Sequence, residues 1–303
     1  MKNSVRDFKT KSHGLMVAFS ILISGSFILG SFVANAIDPS AISALRFFLA
    51  FLILAFVIKL NNLGKGLLLK KMWRYIILGG LVSLYFVLMF EGLKTASPIA
   101  MSAIMTMTPF LASVLEYFIY KRRTDLIIFV ALLIGAFGSV WIIFDADFKK
   151  IIYFNIGHGE TLFLFGCAAQ ALYTILVKTL NEGESALEQT SNTMLVSAIL
   201  LVIIDFKEII NTNWFSLSSL VWLSIAYLSV FATAVAFFII QFSRNYLPST
   251  YVMAYYYIVP MWVMLFEIVV LGTVVPLQLW IGCFAIICTF IIILIKDIKY
   301  SKN

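Results

Sequence analysis

The sequence predicts an all-α polytopic membrane protein: ten transmembrane helices arranged as two inverted-topology five-helix repeats. Three observations carry this. The 303-residue chain is 62% apolar and only 12% charged, with a mean hydropathy of +1.01, which is more apolar surface than a soluble domain of this size needs. Apolar runs of roughly 18 to 25 residues recur, the length a helix needs to cross a bilayer, and the ~10-residue alternation of a β-barrel is absent. A proline-broken run in the first half also returns in the second. Pro98, Pro109 and Glu116 are answered by Pro248, Pro260 and Glu267, with Pro109 and Glu116 each displaced by 151 residues, half the chain.

Taken in order, the first span is 14–34. Its basic start (Lys2, Arg6, Lys9, Lys11) and Ala34-Asn35-Ala36 outline a secretory leader. The apolar body from Leu15 to Val33 exceeds the ~7–15 residues of a leader core, so it reads as a retained helix. Ser26, Gly30 and Ala34 give that helix a strip for close packing. The next spans are 39–60, 73–92, 97–119 with Pro109 inside it, and 125–145. In the last of these, Ala131, Gly135 and Ser139 mark another close contact, within the bundle or between protomers. A link at 146–158 joins repeat 1–145 to repeat 159–303. The second repeat holds spans at 159–180, 188–206, 216–241, 248–271 with Pro260 inside it, and 276–296.

Five spans per half make the second repeat enter from the opposite side, a construction that suits alternating access. Seventeen of the 22 Lys and Arg residues fall in segments on the side of the termini and four on the other. Both termini are therefore expected in the cytoplasm and the protein in the cell (inner) membrane. The net charge of +7 reflects these loops and does not imply nucleic acid.

Several residues could carry function. A mid-helix proline frees the carbonyl four residues back, here those of Met105 and Tyr256, and such a group must face protein or a wet path. Pro109 and Pro260 are thus candidate hinges, with simple packing kinks as the alternative. Thr106, Thr108, Gln170, Tyr173 and Tyr256 are candidate lining residues. Tyr255, Tyr256 and Tyr257 are consecutive and cannot all face one site. Arg46 lies within the second span, where a cation is costly, so it either holds an anion or locks helices together. Glu267 and Glu116 are candidates for coupling or gating, Glu116 with an ion pair to Lys121 or Arg122 as its alternative. Arg244 counts only as a loop cation.

Cys167, Cys283 and Cys288 read as core residues. Walker, HExxH and GxSxG motifs are absent, and His158-Gly159-Glu160 in the external loop is too small for a metal site. No catalytic residue, cofactor or metal is expected.

Gly25-Ser26-Phe27, Pro39, Arg46-Phe47, Gly92 through Pro98, Thr108-Pro109, and then Asn245-Tyr246-Leu247-Pro248 and Pro260 follow one another over about 14–296. In this order the chain resembles the EamA-type carriers of the drug/metabolite transporter superfamily. The resemblance implies ten helices in two inverted repeats around a central site, and transport of amino acids or related metabolites without ATP. A homodimer is compatible with the family, though no residue demands it. One departure stands out: thirteen residues past each proline, where the family commonly has glutamate, this chain has Arg122 and Thr273. The expected activity is secondary transport of a small metabolite, an amino acid first. A membrane receptor or assembly subunit, or an intramembrane enzyme, are the alternatives. The partners expected are a small-molecule substrate and membrane lipid.

Overall fold

A computed structural model describes residues 2–61, 71–121, 125–153, 155–244, 246–247 and 249–300. Pro248, Asn245 and Arg122, singled out above, lie outside the described residues. Among those described there is no strand, and ten helices are long and apolar enough to span a membrane. They are α1 (Phe8–Ala34), α2 (Pro39–Leu60), α3 (Trp73–Leu93), α4 (Pro98–Tyr120), α5 (Leu126–Ile143), α6 (His158–Thr179), α7 (Ala186–Ile204), α8 (Ser219–Arg244), α9 (Tyr251–Leu271) and α10 (Leu277–Lys296). Exposed side chains such as Phe56, Phe118, Phe137, Phe165, Phe284 and Val269 form the apolar exterior of a multi-pass membrane protein.

Local chemistry explains where helices start. The Asp38 carboxylate accepts from the N–H groups of Ser40 and Ala41, with Pro39 in the first turn, where its missing donor costs nothing. Ser97 caps α4 ahead of Pro98 in the same way, and Asp125 caps α5. Ser185 and Glu188 form a reciprocal capping box at α7. Gly157 caps α6, so His158, Gly159 and Glu160 form its first turn and not an external loop as expected.

The halves pack with equivalent helices exchanging partners. α3 lies on α6 as α8 lies on α1; α4 meets α6 as α9 meets α1; α3 touches α7 as α8 touches α2. α2 and α7 pair with each other, as do α5 and α10, each helix meeting its own counterpart. This exchange of partners is what an inverted repeat requires. The small-residue strip on α5 works inside the bundle: Gly135 lies against the Tyr257 ring and the Ala131 carbonyl accepts the Thr289 hydroxyl. At the α5–α10 crossing a Cβ on Gly138 would stand 2.7 Å from the Gly282 carbonyl oxygen, and the converse distance is also 2.7 Å.

Both proline-bearing helices are interrupted where the sequence places the prolines. α4 consists of Pro98–Met105 and Thr108–Tyr120, with Thr106 and Met107 between them. α9 tightens to a 3₁₀ turn at Tyr255–Ile258 before continuing as Val259–Leu271. Each proline falls in the first turn of the second segment, and both are buried. One expectation needs correction. The Tyr256 carbonyl is not left free, because the 3₁₀ turn brings the Val259 N–H onto it. The second segments also end alike, on a left-handed residue: Lys121 (φ 56°) in α4 and Gly272 (φ 66°) in α9, again 151 apart.

At the face carrying the termini, Arg74 donates to Glu184 at 2.6 Å and to the Leu180 carbonyl at 2.7 Å, pinning the start of α3 to the α6–α7 turn. Burial opposes ionisation of Glu184, but the Arg74 guanidinium and the backbone N–H of Glu182 outweigh it and hold the carboxyl below its usual value.

Two outcomes follow. Gly138→Val forces backbone apart at the α5–α10 crossing and should cost about 1–3 kcal/mol, seen as a lower melting temperature in detergent. Gly80→Ala, where a Cβ meets nothing within 4 Å, should leave the melting temperature unchanged. The second concerns pH. A carboxyl depressed in the folded state stabilises above its unfolded value, about 4.3, and that stability is lost as the pH falls through the folded value. Glu184→Gln should therefore lower the melting temperature at pH 7, and the gap to the parent should close below about pH 4.

Candidate functional site

The seam between the repeats is polar where the exterior is not. Arg46 enters from α2, seven residues and therefore about 10 Å past its start, and is 0% exposed. Its Nε and Nη2 donate to Thr233 Oγ1 at 2.9 and 2.6 Å, and Nη2 reaches the Leu228 carbonyl at 3.4 Å. Thr233 is available because α8 makes a π turn at Val230–Val235. The widened turn also lets the Thr233 hydroxyl donate to the Leu228 carbonyl at 2.8 Å. The guanidinium lies over Phe86, 4.1 Å from the ring centroid, with Phe90 at 5.5 Å. A desolvated cation–π contact of this kind contributes about 2 kcal/mol. Arg46 Nη1 has no partner, and no carboxylate pairs with this residue among the described ones. Arg46 thus locks α2 to α8 and still presents a free donor.

From Phe86 an aromatic chain runs toward the face of the termini. Tyr85 packs edge-on to Phe86 at 4.8 Å, Phe86 faces Phe237 at 6.1 Å, and Phe237 faces Tyr173 at 6.0 Å. Tyr85 donates weakly to Met105 Sδ at 3.5 Å and stands within electrostatic reach of Arg46, Cys167 and Tyr256. Gln170 lies beside Tyr256, and its Oε1 is unpartnered. Thr108 Oγ1 sits beside the Cys167 thiol without a regular hydrogen bond. The Tyr173 hydroxyl and Gln241 Nε2 are buried and unpartnered as well. Arg244, the last residue of α8, turns back into the bundle near Tyr173 and Tyr256, with Nε and Nη1 buried and free.

Of the residues singled out from sequence, Arg46, Met105, Thr108, Gln170, Tyr173 and Tyr256 come together here, with contributions from both repeats. Thr106 does not. Its hydroxyl bonds the Ala103 carbonyl and Ser139 of α5, tying α4 to its neighbour. Glu267 is buried but lies at the opposite end of α9, where its carboxylate accepts from Thr273 Oγ1 at 3.0 Å and its carbonyl takes the N–H groups of Gly272 and Thr273. Glu116 is half-buried on the second segment of α4, apart from the cluster. The three tyrosines diverge as expected: Tyr255 meets His13 Nδ1 at 2.7 Å, Tyr256 faces the cluster, and Tyr257 faces α5.

Tyr85, Phe86, Phe237 and Thr233 were not foreseen, because aromatics on an apolar helix carry no sequence sign of facing inward and a π turn has no motif. Arg244 was counted as a loop cation. A long side chain at a helix end can fold back along the bundle, and here it does.

Ten spanning helices in two inverted halves meet at unpartnered polar atoms drawn from both, the architecture of a multi-pass membrane protein. The EamA-like transporter family model matches the chain twice, over residues 10–144 and 157–295. The chain belongs to the EamA-like transporter family. It is similar to the uncharacterized transporter YyaM of Bacillus subtilis (strain 168), 26% identical over 232 residues, covering 74% of each chain. A solved crystal structure shares the fold with a TM-score of 0.69 at 16% identity, covering 96% of this chain and 97% of that one.

Thr233 is the acceptor for both short Arg46 bonds. Thr233→Val leaves a buried guanidinium short of partners and should cost about 3 kcal/mol, whereas Thr233→Ser should restore most of it. Thermal melts of the purified variants check this.

Proposed function

We propose that the protein is a secondary carrier that binds a small amphipathic metabolite at the cluster between the repeats and exposes it alternately to the two sides. The observation that carries this is the set of buried, unpartnered polar atoms from both halves: Arg46 Nη1, Thr108 Oγ1, Gln170 Oε1 and the Tyr173 hydroxyl. Groups left unsatisfied in a packed interior cost free energy, and a bound substrate would supply their partners. Residues 1–145 and 159–303 are the two rocking units in this reading, joined by the external link 146–158. Breaks at Pro109 and Pro260 place the bends of α4 and α9 beside Thr108 and Tyr256. Such breaks let the outer and inner halves of a helix move separately.

The lopsided Lys and Arg distribution supports insertion in the cell (inner) membrane with both termini cytoplasmic. The family resemblance points to an amino acid or a related compound, a class that includes carboxylates lacking the amino group. Glu267, held in the cap at the far end of α9, has a gating role in this scheme, and Glu116 has the matching place in the first half.

Counterflow in proteoliposomes across a metabolite panel tests the proposal. Exchange that saturates and needs no ATP is expected. Pro109→Ala and Pro260→Ala should each lower the exchange rate about tenfold or more while the melting temperature holds. Such a fall is only about 1.4 kcal/mol in a barrier. Absence of exchange for every compound that binds would overturn the carrier reading.

A further inference from the structure

The charge balance of the seam narrows the substrate. Two guanidiniums, those of Arg46 and Arg244, carry three unpartnered nitrogens between them. Among the described residues no acid faces either one. The buried acid is Glu267, which is tied to Thr273 beyond the cluster. The acid that pairs with a buried arginine, Glu184, pairs with Arg74 at the face of the termini. Arg46 is buried and Arg244 is partly buried with Nε and Nη1 out of water; cations placed so without counterions among the described residues carry a desolvation cost, and a ligand that brings negative charge relieves it.

A zwitterion fits poorly. Its carboxylate would meet the arginines, but its ammonium would add a third cation to a site with no carboxylate among the described residues. Gln170 Oε1 is an unpartnered acceptor, yet a neutral amide can take one ammonium N–H and offsets no charge. The body of the site is aromatic, with Phe86, Phe237 and Tyr173 in series, which suits an apolar substituent.

Separation decides between one anionic group and two. Thr233, which fixes the Arg46 guanidinium, is eleven residues from Arg244 on α8, about 16 Å along a helix axis. Arg244 reaches back toward Tyr173 and Tyr256, whereas Arg46 is held at Thr233 and Phe86, so the two guanidiniums have separate neighbours. This arrangement favours a single carboxylate at each arginine over one small dicarboxylate spanning both. Arg46 also offers just one free nitrogen, since its Nε and Nη2 are already committed to Thr233. That is a monodentate anchor, less than a phosphate dianion would use.

We infer that the transported species is an organic monocarboxylate with an apolar or aromatic body and no amino group, bound at Arg46 in the seam and at Arg244 near the face of the termini. This rests on the carrier reading above. The two arginines are successive stations on one path, with Tyr85, Tyr256 and Tyr173 lying between them.

The test compares three probes of one shape: 3-phenylpropanoate, phenylalanine and 2-phenylethylamine, with phenyl phosphate as a fourth arm. Binding to the purified full-length protein is measured at pH 7.5 by equilibrium dialysis and by ligand-dependent melting. The expected result is that 3-phenylpropanoate binds at least tenfold more tightly than phenylalanine or phenyl phosphate, and that the amine does not bind. Arg244→Gln, which leaves the α2–α8 lock intact, should weaken 3-phenylpropanoate at least tenfold; Arg46→Gln should do the same if it folds. Phenylalanine binding equally or better would overturn the inference, as would no binding of 3-phenylpropanoate or tighter binding of phenyl phosphate; each leaves the carrier reading to its own counterflow test. Monocarboxylate binding without exchange across vesicles supports the anion site and sinks the carrier reading.

Discussion

A helix interrupted inside a bilayer can persist only if protein surrounds the interruption, because lipid offers no partner to a free N–H or C=O. This constraint shapes the molecule. α4 and α9 are both broken next to a proline, and both breaks are buried. α1 and α6 lie against them in exchanged positions, and α5 and α10 close in from the other side through the Gly138–Gly282 crossing. Local 3₁₀ bonding settles part of the backbone, as when the Val259 N–H takes the Tyr256 carbonyl. Thr106, at the other break, bonds Ser139 and anchors α4 to α5. What remains unsatisfied is side-chain polarity, concentrated where the halves meet.

The π turn in α8 is a third departure from regular helix, and it has a distinct role. It brings Thr233 and the Leu228 carbonyl to Arg46. Without that turn, a guanidinium about 10 Å into the apolar layer would keep only the faces of Phe86 and Phe90. The arrangement satisfies most of the cation while leaving Nη1 open.

The two halves share a scaffold more than they share chemistry. Counting from the caps Asp38 and Ser185, the position of Arg46 in α2 is held by Thr193 in α7, which merely bonds back to the Gln189 carbonyl. Lys121 occupies a left-handed position where the second half has Gly272. Such divergence is compatible with a twofold fold, since backbone geometry sets the packing and only one copy needs to supply a given functional group.

The sequence by itself determined the medium, the ten crossings, the paired breaks and the inverted halves. Apolar run length, proline position and the 151-residue offset are one-dimensional properties that lipid reads directly. It also marked Arg46, Gln170, Tyr173 and Tyr256, because a polar group amid apolar residues is conspicuous in any order. Only the tertiary structure decided which of these meet. It turned Arg244 inward from an apparent loop, set Thr106 and Glu267 apart from the cluster, sent the three adjacent tyrosines to three different neighbours, and created the Thr233 acceptor with a π turn. Those outcomes depend on helix rotation and on which residues lie opposite across the seam, and rotation is fixed by packing against other helices, not by a helix's own composition.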